Sequence, residues 1–274
     1  MNDQTRRGER QRIPPPAPPA LLLDIGNTHS HATLSKPGSL GKKLDFPTAW
    51  WREGRALDVL RRLVGRAQPE WAALCSVVPW ATRHALVELE RGFGVRILEV
   101  THRSVGIVGV RYPHPETIGP DRLANAAALR ILYGAPALAI DFGTAVTFDV
   151  LDANGSYVGG IIAPGLAAMT DYLHEKTALL PRIRVRPIRK TLGKSTEEAM
   201  LIGAVRGYRH LVRGLITDSI ASLGGGRVPV VVTGGYGALI AHGIPEITEV
   251  NPWLTLQGIR LVLEFHLARQ RGDS

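Results

Sequence analysis

Asp24-Ile25-Gly26-Asn27-Thr28 and Asp141-Phe142-Gly143-Thr144-Ala145 are two copies of one short pattern. In each, an aspartate follows an apolar run that reads as a strand, a glycine turns the chain, and small residues follow. Glycine lets backbone approach a phosphate closely. A carboxylate at that place can hold a cation or its water. In the first copy, the side chains of Asn27, Thr28 and Ser30 add donors to the backbone N–H groups. Either copy alone is also an ordinary hairpin turn. Two copies on strands, about one domain's length apart, point to a nucleotide clasped between duplicated halves.

Gly119-Pro120-Asp121-Arg122 opens an alanine-rich helical stretch. Asp121 suits a helix start by charge alone. It also suits a general base beside a cation, the pair that phosphoryl transfer to an alcohol requires. Tyr112 and Pro113, just upstream, are a surface loop or a substrate wall. Thr233-Gly234-Gly235 follows an apolar run; the glycine pair is a strand-to-helix turn or a place where adenine or ribose lies against backbone. Gly193-Lys194-Ser195-Thr196 resembles the end of a P-loop, but Ile188 stands where the first glycine belongs. Ser195 or Thr196 with Glu198 reads instead as a helix start, and Thr196 can still offer its hydroxyl to a ligand. Between Arg182 and Lys194 the chain carries six cations and no acid, a solvated basic stretch or an attractor of anionic substrates. HExxH, cysteine–histidine metal spacing and GxSxG are absent from the sequence.

The elements that must position these residues alternate. Strands are expected at 21–24, 28–35, 72–78 (stopped by Pro79), 95–100, 137–140, 145–151, 157–162 and 228–232. Helices are expected at 82–92, 121–132, 196–222 and 254–269. In the long one, Ala199, Ile202, Val205, Leu211, Leu215 and Ile220 form the expected apolar stripe. Strands followed by helices, in both halves, give an α/β fold.

The chain has 274 residues, 45% of them hydrophobic, and a net charge of +9. The charge fits a basic surface and tail, since aromatics are sparse and no nucleic-acid motif is present. Cys75 is the single cysteine, so no intrachain disulfide forms; it reads as a small buried hydrophobe. Residues 1–19 are rich in proline and arginine and read as a disordered or polyproline-like arm. Neither a secretory leader nor a bilayer span is expected, which predicts a soluble cytoplasmic protein.

From about residue 20 to 268 the chain resembles the type III pantothenate kinases, of the actin-like, sugar-kinase and Hsp70-like ATPase superfamily. The motifs that carry the resemblance are Asp24–Ser30, Ser76-Val77-Val78-Pro79, Tyr112 with Gly119-x-Asp121-Arg122, Asp141-x-Gly143-Thr144-Ala145, Gly155-Ser156-Tyr157-x-Gly159-Gly160, Gly193-Lys194-x-Thr196-Glu197 and Thr233-Gly234-Gly235. The resemblance implies two tandem ribonuclease H-like (actin-like ATPase) domains, residues 20–134 and 135–274, with the nucleotide site between them. It implies transfer of the γ-phosphoryl of ATP to the primary hydroxyl of pantothenate, the first step of coenzyme A synthesis. Asp121 would be the base. Tyr112, Gly119, Pro120, Arg122 and Thr196 would bind pantothenate, with Arg122 near its carboxylate. Asp24, Ile25, Gly26, Asn27, Thr28, His29, Ser30 and His31, with Thr144, would hold the ATP phosphates, and Gly234 and Gly235 would complete the nucleotide site. Asp141 would bind a monovalent cation, potassium or ammonium, and magnesium would accompany ATP near Asp24. A homodimer is implied, with the acceptor pocket at the subunit contact, and neither a nucleic-acid nor a membrane partner. A sugar kinase, another phosphotransferase or phosphatase of the same fold, or a non-catalytic regulatory relative are the alternatives.

Overall fold

The computed structural model describes residues 16–272; most of the proline- and arginine-rich arm lies outside the described residues. Two six-stranded sheets carry the chain. The first begins with β1 (Ala20–Ile25), β2 (His29–Lys36), β3 (Ser39–Leu40) and β4 (Leu44–Pro47). A single-turn helix at Thr48–Trp51 leads to α1 (Ala56–Val64), β5 (Trp71–Ser76), α2 (Pro79–Phe93) and β6 (Arg96–Glu99). Pro79 is less a stop than a start, since it takes the first helical position of α2, where its missing N–H costs nothing. Strand order is β3-β2-β1-β5-β6, with β4 also on β2; β5 and β6 run parallel to β1, β2 pairs with it antiparallel, and β3 and β4 pair antiparallel with β2.

After β7 (Gly109–Val110) and α3 (Pro120–Leu132) the pattern repeats. It runs through β8 (Ala137–Phe142), β9 (Ala145–Leu151), β10 (Ser156–Pro164), α4 (Leu166–Lys176), α5 (Thr196–Ile202), α6 (Tyr208–Ser222), β11 (Val230–Gly234), α7 (Gly237–Ala241), β12 (Glu249–Val250) and α8 (Leu254–Arg271). Here the order is β10-β9-β8-β11-β12, with β7 added outside β10. The first strands of the two sheets, β1 and β8, have the same burial pattern, four buried residues, one largely buried aspartate and one buried residue. Asp24 and Asp141 therefore occupy equivalent places in duplicated folds.

One core cluster spans both sheets: Leu22, Ala73 and Cys75 from the first, Ala139 and Val231 from the second, and Leu123, Leu129, Ile259 and Leu263 from α3 and α8. The two helices pack closely enough that Gly258 of α8 lies on the Ala124 carbonyl of α3. The long helical stretch 196–222 forms as expected, but one turn at 203–207 is π-wound, and the core face is not the expected stripe. Leu201, Val205, Tyr208, Val212 and Ile216 are buried, whereas Ala199 and Leu211 are exposed. Of the expected stripe, Val205 is buried and Leu215 and Ile220 pack at the edge of the core, while the buried residues keep ordinary helical spacing through the π-wound turn.

Candidate active site

Both phosphate-motif aspartates end a central strand, and both are followed by a tight turn. The Gly26 N–H donates to the His29 carbonyl and the Gly143 N–H to the Ala145 carbonyl, each at 3.0 Å. The two turns meet: the hydroxyls of Thr28 and Thr144 lie 3.1 Å apart. Two loops more than a hundred residues apart in sequence thus present their small polar side chains to one spot, with Asn27, Thr28, Gly143 and Thr144 exposed there.

The neighbouring residues divide by commitment. Ser30 is buried, sharing a hydrogen bond with Thr48 at 3.1 Å and accepting from the Trp51 indole at 3.1 Å. His31 Nδ1 lies 2.5 Å from Asp45. Burial pushes the His31 pKa down against that carboxylate's pull. His29 is exposed.

Asp121 stands in the first turn of α3, capped by Gly119, and its Oδ1 accepts the Arg122 N–H at 2.9 Å. A Cβ at Gly119 would sit 2.5 Å from that oxygen, so this position keeps the carboxylate free to turn. The Arg122 side chain runs back to the second sheet, where Nε donates to Asp149 at 2.6 Å and Nη2 to the Phe148 carbonyl at 2.9 Å. Tyr112 is exposed and stacks edge-on against Tyr157, ring centroids 6.2 Å apart. Gly234 has φ +86°, and a Cβ there would come within 2.6 Å of Asp141 Oδ1. The glycine pair therefore lies directly on the second phosphate motif. Thr196 is elsewhere: it is exposed at the start of α5, whose N-cap Ser195 accepts from Glu198 N–H. Thr196 makes no hydrogen bond to Tyr112, Asp121 or Arg122 among the described residues. Of the basic stretch, Arg182, Arg186 and Lys190 pair with acids of α4 and α5.

The electrostatics follow from crowding carboxylates in a cleft. Asp24 is pushed up to about 7, first by burial and then by the charges of Asp121 and Asp141. Asp141 is pushed up to about 7 by burial and by Asp121. Asp121 is also raised, by burial, with the neighbouring arginine pulling the other way. The buried Cys75 thiol donates to Asp24 at 3.3 Å and favours its charged form. The Asn125 amide favours ionised Asp141, although its nitrogen falls outside hydrogen-bond geometry; its oxygen accepts from Thr255 of α8 at 2.9 Å. Lys43 is a residue that no motif announced. Its charge bears on both Asp24 and Asp141, and its Nζ reaches the Pro252 carbonyl of the other half at 3.3 Å.

This crowding predicts a stability profile. Asp24 and Asp141 hold protons in the folded chain that the unfolded chain releases near 3.8. Their contribution to stability is fully present below about pH 4 and is lost as pH rises through 7. Thermal melts at constant ionic strength should show the ligand-free protein losing stability between pH 6 and 8. A melting temperature that climbs over that interval would contradict the assignment.

Donors convergent on one spot, a carboxylate at a helix start and a fixed guanidinium are the parts of a phosphotransferase site. A model of the type III pantothenate kinase family matches residues 20–218. The chain belongs to this family. A type III pantothenate kinase of Methylacidiphilum infernorum is 42% identical over 254 residues, covering 92% of this chain and 91% of the relative. Two solved structures share the fold at low identity. One is the activator of 2-hydroxyisocaproyl-CoA dehydratase from Clostridium difficile with bound ADPNP, with a TM-score of 0.54, 14% identity, and coverage of 94% of this chain and 98% of that one. The other is MreB 5 of Spiroplasma citri bound to AMPPNP, with a TM-score of 0.51, 15% identity, and coverage of 95% and 100%. The two six-stranded sheets of this type III kinase are thus an actin-like ATPase fold. No helix among the described residues is long and apolar enough to cross a membrane.

Proposed function

We propose that the chain transfers the γ-phosphoryl group of ATP to the primary hydroxyl of pantothenate, the first step of coenzyme A synthesis, in the cytoplasm. The observation that carries this reading is the meeting of the Thr28 and Thr144 turns beside Asp121 and Arg122, within a family of pantothenate kinases. The turns around Asp24 and Asp141 hold the phosphates of ATP. Gly234 and Gly235 lie against the nucleotide. Arg122, with Tyr112 and Gly119, holds pantothenate by its carboxylate.

Asp121 takes the proton of the acceptor hydroxyl as that oxygen bonds to the γ-phosphorus. The bond from phosphorus to the β–γ bridging oxygen breaks, and ADP leaves. A base with a raised pKa accepts that proton more readily than an ordinary carboxylate.

The donor set fits cations, because hard carboxylate oxygens crowd the cleft and repel one another. No three acidic or histidine side chains close a cage among the described residues. Phosphate oxygens and water would complete the coordination, as magnesium prefers. Magnesium would accompany ATP near Asp24 and Asp141 would hold potassium or ammonium, and the bound cations would supply charge neutralisation at the phosphates. Asp141→Ala should weaken potassium activation and ATP use together, read as the potassium dependence of the ATP KM. A wild-type potassium response in that variant would take the cation away from Asp141.

The acceptor pocket is completed by a second copy of the chain, since α5, which carries Thr196, packs in a different core cluster from α3, which carries Arg122. The surface for that copy is apolar: Ile162 is 64% exposed, Tyr172 61% and Leu179 90%, with Met169 and Leu173 beside them in sequence. Exposed apolar side chains concentrated in one segment mark an interaction face. Ile162→Asp with Tyr172→Asp is expected to give monomers by light scattering and a raised pantothenate KM. A wild-type chain that is itself monomeric at micromolar concentration would remove the pairing.

The deciding experiment is ADP release from purified protein with magnesium and ATP, with and without pantothenate and potassium. Release that needs pantothenate and rises with potassium supports the reading. Folded protein that releases ADP only with another alcohol, or not at all, overturns it.

A further inference from the structure

Asp149 belongs to none of the motifs above, yet it is fully buried in the middle of β9. Its Oδ1 takes the Nε–H of Arg122, and the Phe148 carbonyl beside it takes one N–H of Nη2. Gly160 of β10 provides the room: a Cβ there would lie 2.5 Å from Nη2 and 1.7 Å from the Phe148 oxygen. The Tyr157 ring covers the guanidinium, with its central carbon 5.7 Å from the ring centre. One edge of the planar group is thereby fixed to the sheet. The N–H groups of Nη1 take no partner among the described residues.

A buried ion pair is a poor way to stabilise a fold, because desolvation offsets the attraction, and apolar replacements do as well. This pair is poorer still, since Asp149 Oδ2 is buried without a partner. What the arrangement does achieve is orientation. A guanidinium held along its Nε–Nη2 edge presents its end edge, one N–H of Nη1 and the second of Nη2, in a fixed plane. That edge matches a carboxylate two-to-two.

We propose that Asp149 is a positioning residue, which holds the Arg122 guanidinium so that its Nη1–Nη2 edge meets the carboxylate of the acceptor. This rests on the reading of Arg122 as the acceptor's carboxylate contact. A contact made alike in the ground and transition states is read in KM rather than kcat.

The test is steady-state kinetics of Asp149→Asn, which keeps the shape and the Oδ1 acceptor but loses the charge. The pantothenate KM should rise about tenfold or more, with the ATP KM and kcat far less affected. Arg122→Lys keeps the positive charge and loses the fork; it should raise the same KM, and adding Asp149→Asn to it should change little further. Equal damage to both KM values would assign Asp149 a merely structural part and overturn the proposal. So would a wild-type pantothenate KM in Arg122→Lys, even where Asp149→Asn fails to fold. A wild-type protein without pantothenate-dependent ADP release would instead remove the underlying function.

Discussion

Replacing Asp121 with asparagine is expected to lower turnover about 100- to 10,000-fold, the usual worth of a general base, and to leave the fold intact. The amide keeps an oxygen for the Arg122 N–H that Asp121 now accepts. What it loses is the basic lone pair and the negative charge. The charge lost is one that pushes Asp24 and Asp141 up, so the variant should melt no lower than wild type at pH 8 and should lose less stability between pH 6 and 8. Kinetics and melting therefore separate in opposite directions. A variant with wild-type kcat would take Asp121 out of the chemistry. One that melted far below wild type would make it a structural acid.

Gly258→Ala is expected to be the most damaging single methyl in the chain's helices. A Cβ there would sit 1.9 Å from the Ala124 carbonyl oxygen and 2.5 Å from its carbon. These are backbone atoms of α3, which no rotamer change can move aside. Overpacking in a core costs about 1–3 kcal/mol, and a clash of backbone with backbone belongs at the upper end, about 3 kcal/mol. Gly214→Ala in α6 is the contrasting substitution. Nothing lies within 4 Å of its added Cβ, and a helical glycine replaced by alanine gains about 0.8–1 kcal/mol. Equilibrium unfolding of the two variants should bracket wild type. A neutral Gly258→Ala would mean that α3 and α8 can separate without loss.

The two Asp-Gly turns that meet at Thr28 and Thr144 were legible because their signal is local. An apolar run, an aspartate and a glycine lie within seven residues, and the second copy confirmed the first. Asp121 was legible for the same reason, as a helix start with an arginine beside it. Asp149 and Lys43 were not. Asp149 is an acid inside the buried run Ala145–Leu151, a signal that could have been read, but its partner Arg122 lies in α3, before β8. Lys43 stands in an exposed-looking hairpin, and only the return of the chain at Pro252 gives it a role near the cleft. The stripe on residues 196–222 was legible only in part, through Val205, Leu215 and Ile220. The buried residues Leu201, Val205, Tyr208, Val212 and Ile216 keep to one helical face, and the expected stripe leaves it at Ala199 and Leu211. The short strands β3, β7 and β12 have two residues each and no periodicity to detect.

The closing helix α8 lies against β1 and β5, the strands of the first sheet, as well as against α3. Leu254, Ile259, Val262 and Leu263 share a cluster with Leu22 and Ala73. A ribosome making about 5–20 residues per second exposes β1 long before it reaches α8. Until α8 arrives, the face of the first sheet that carries Leu22 and Ala73 has only α3 of its two covering helices. The halves of the molecule, though repeated in design, are finished together.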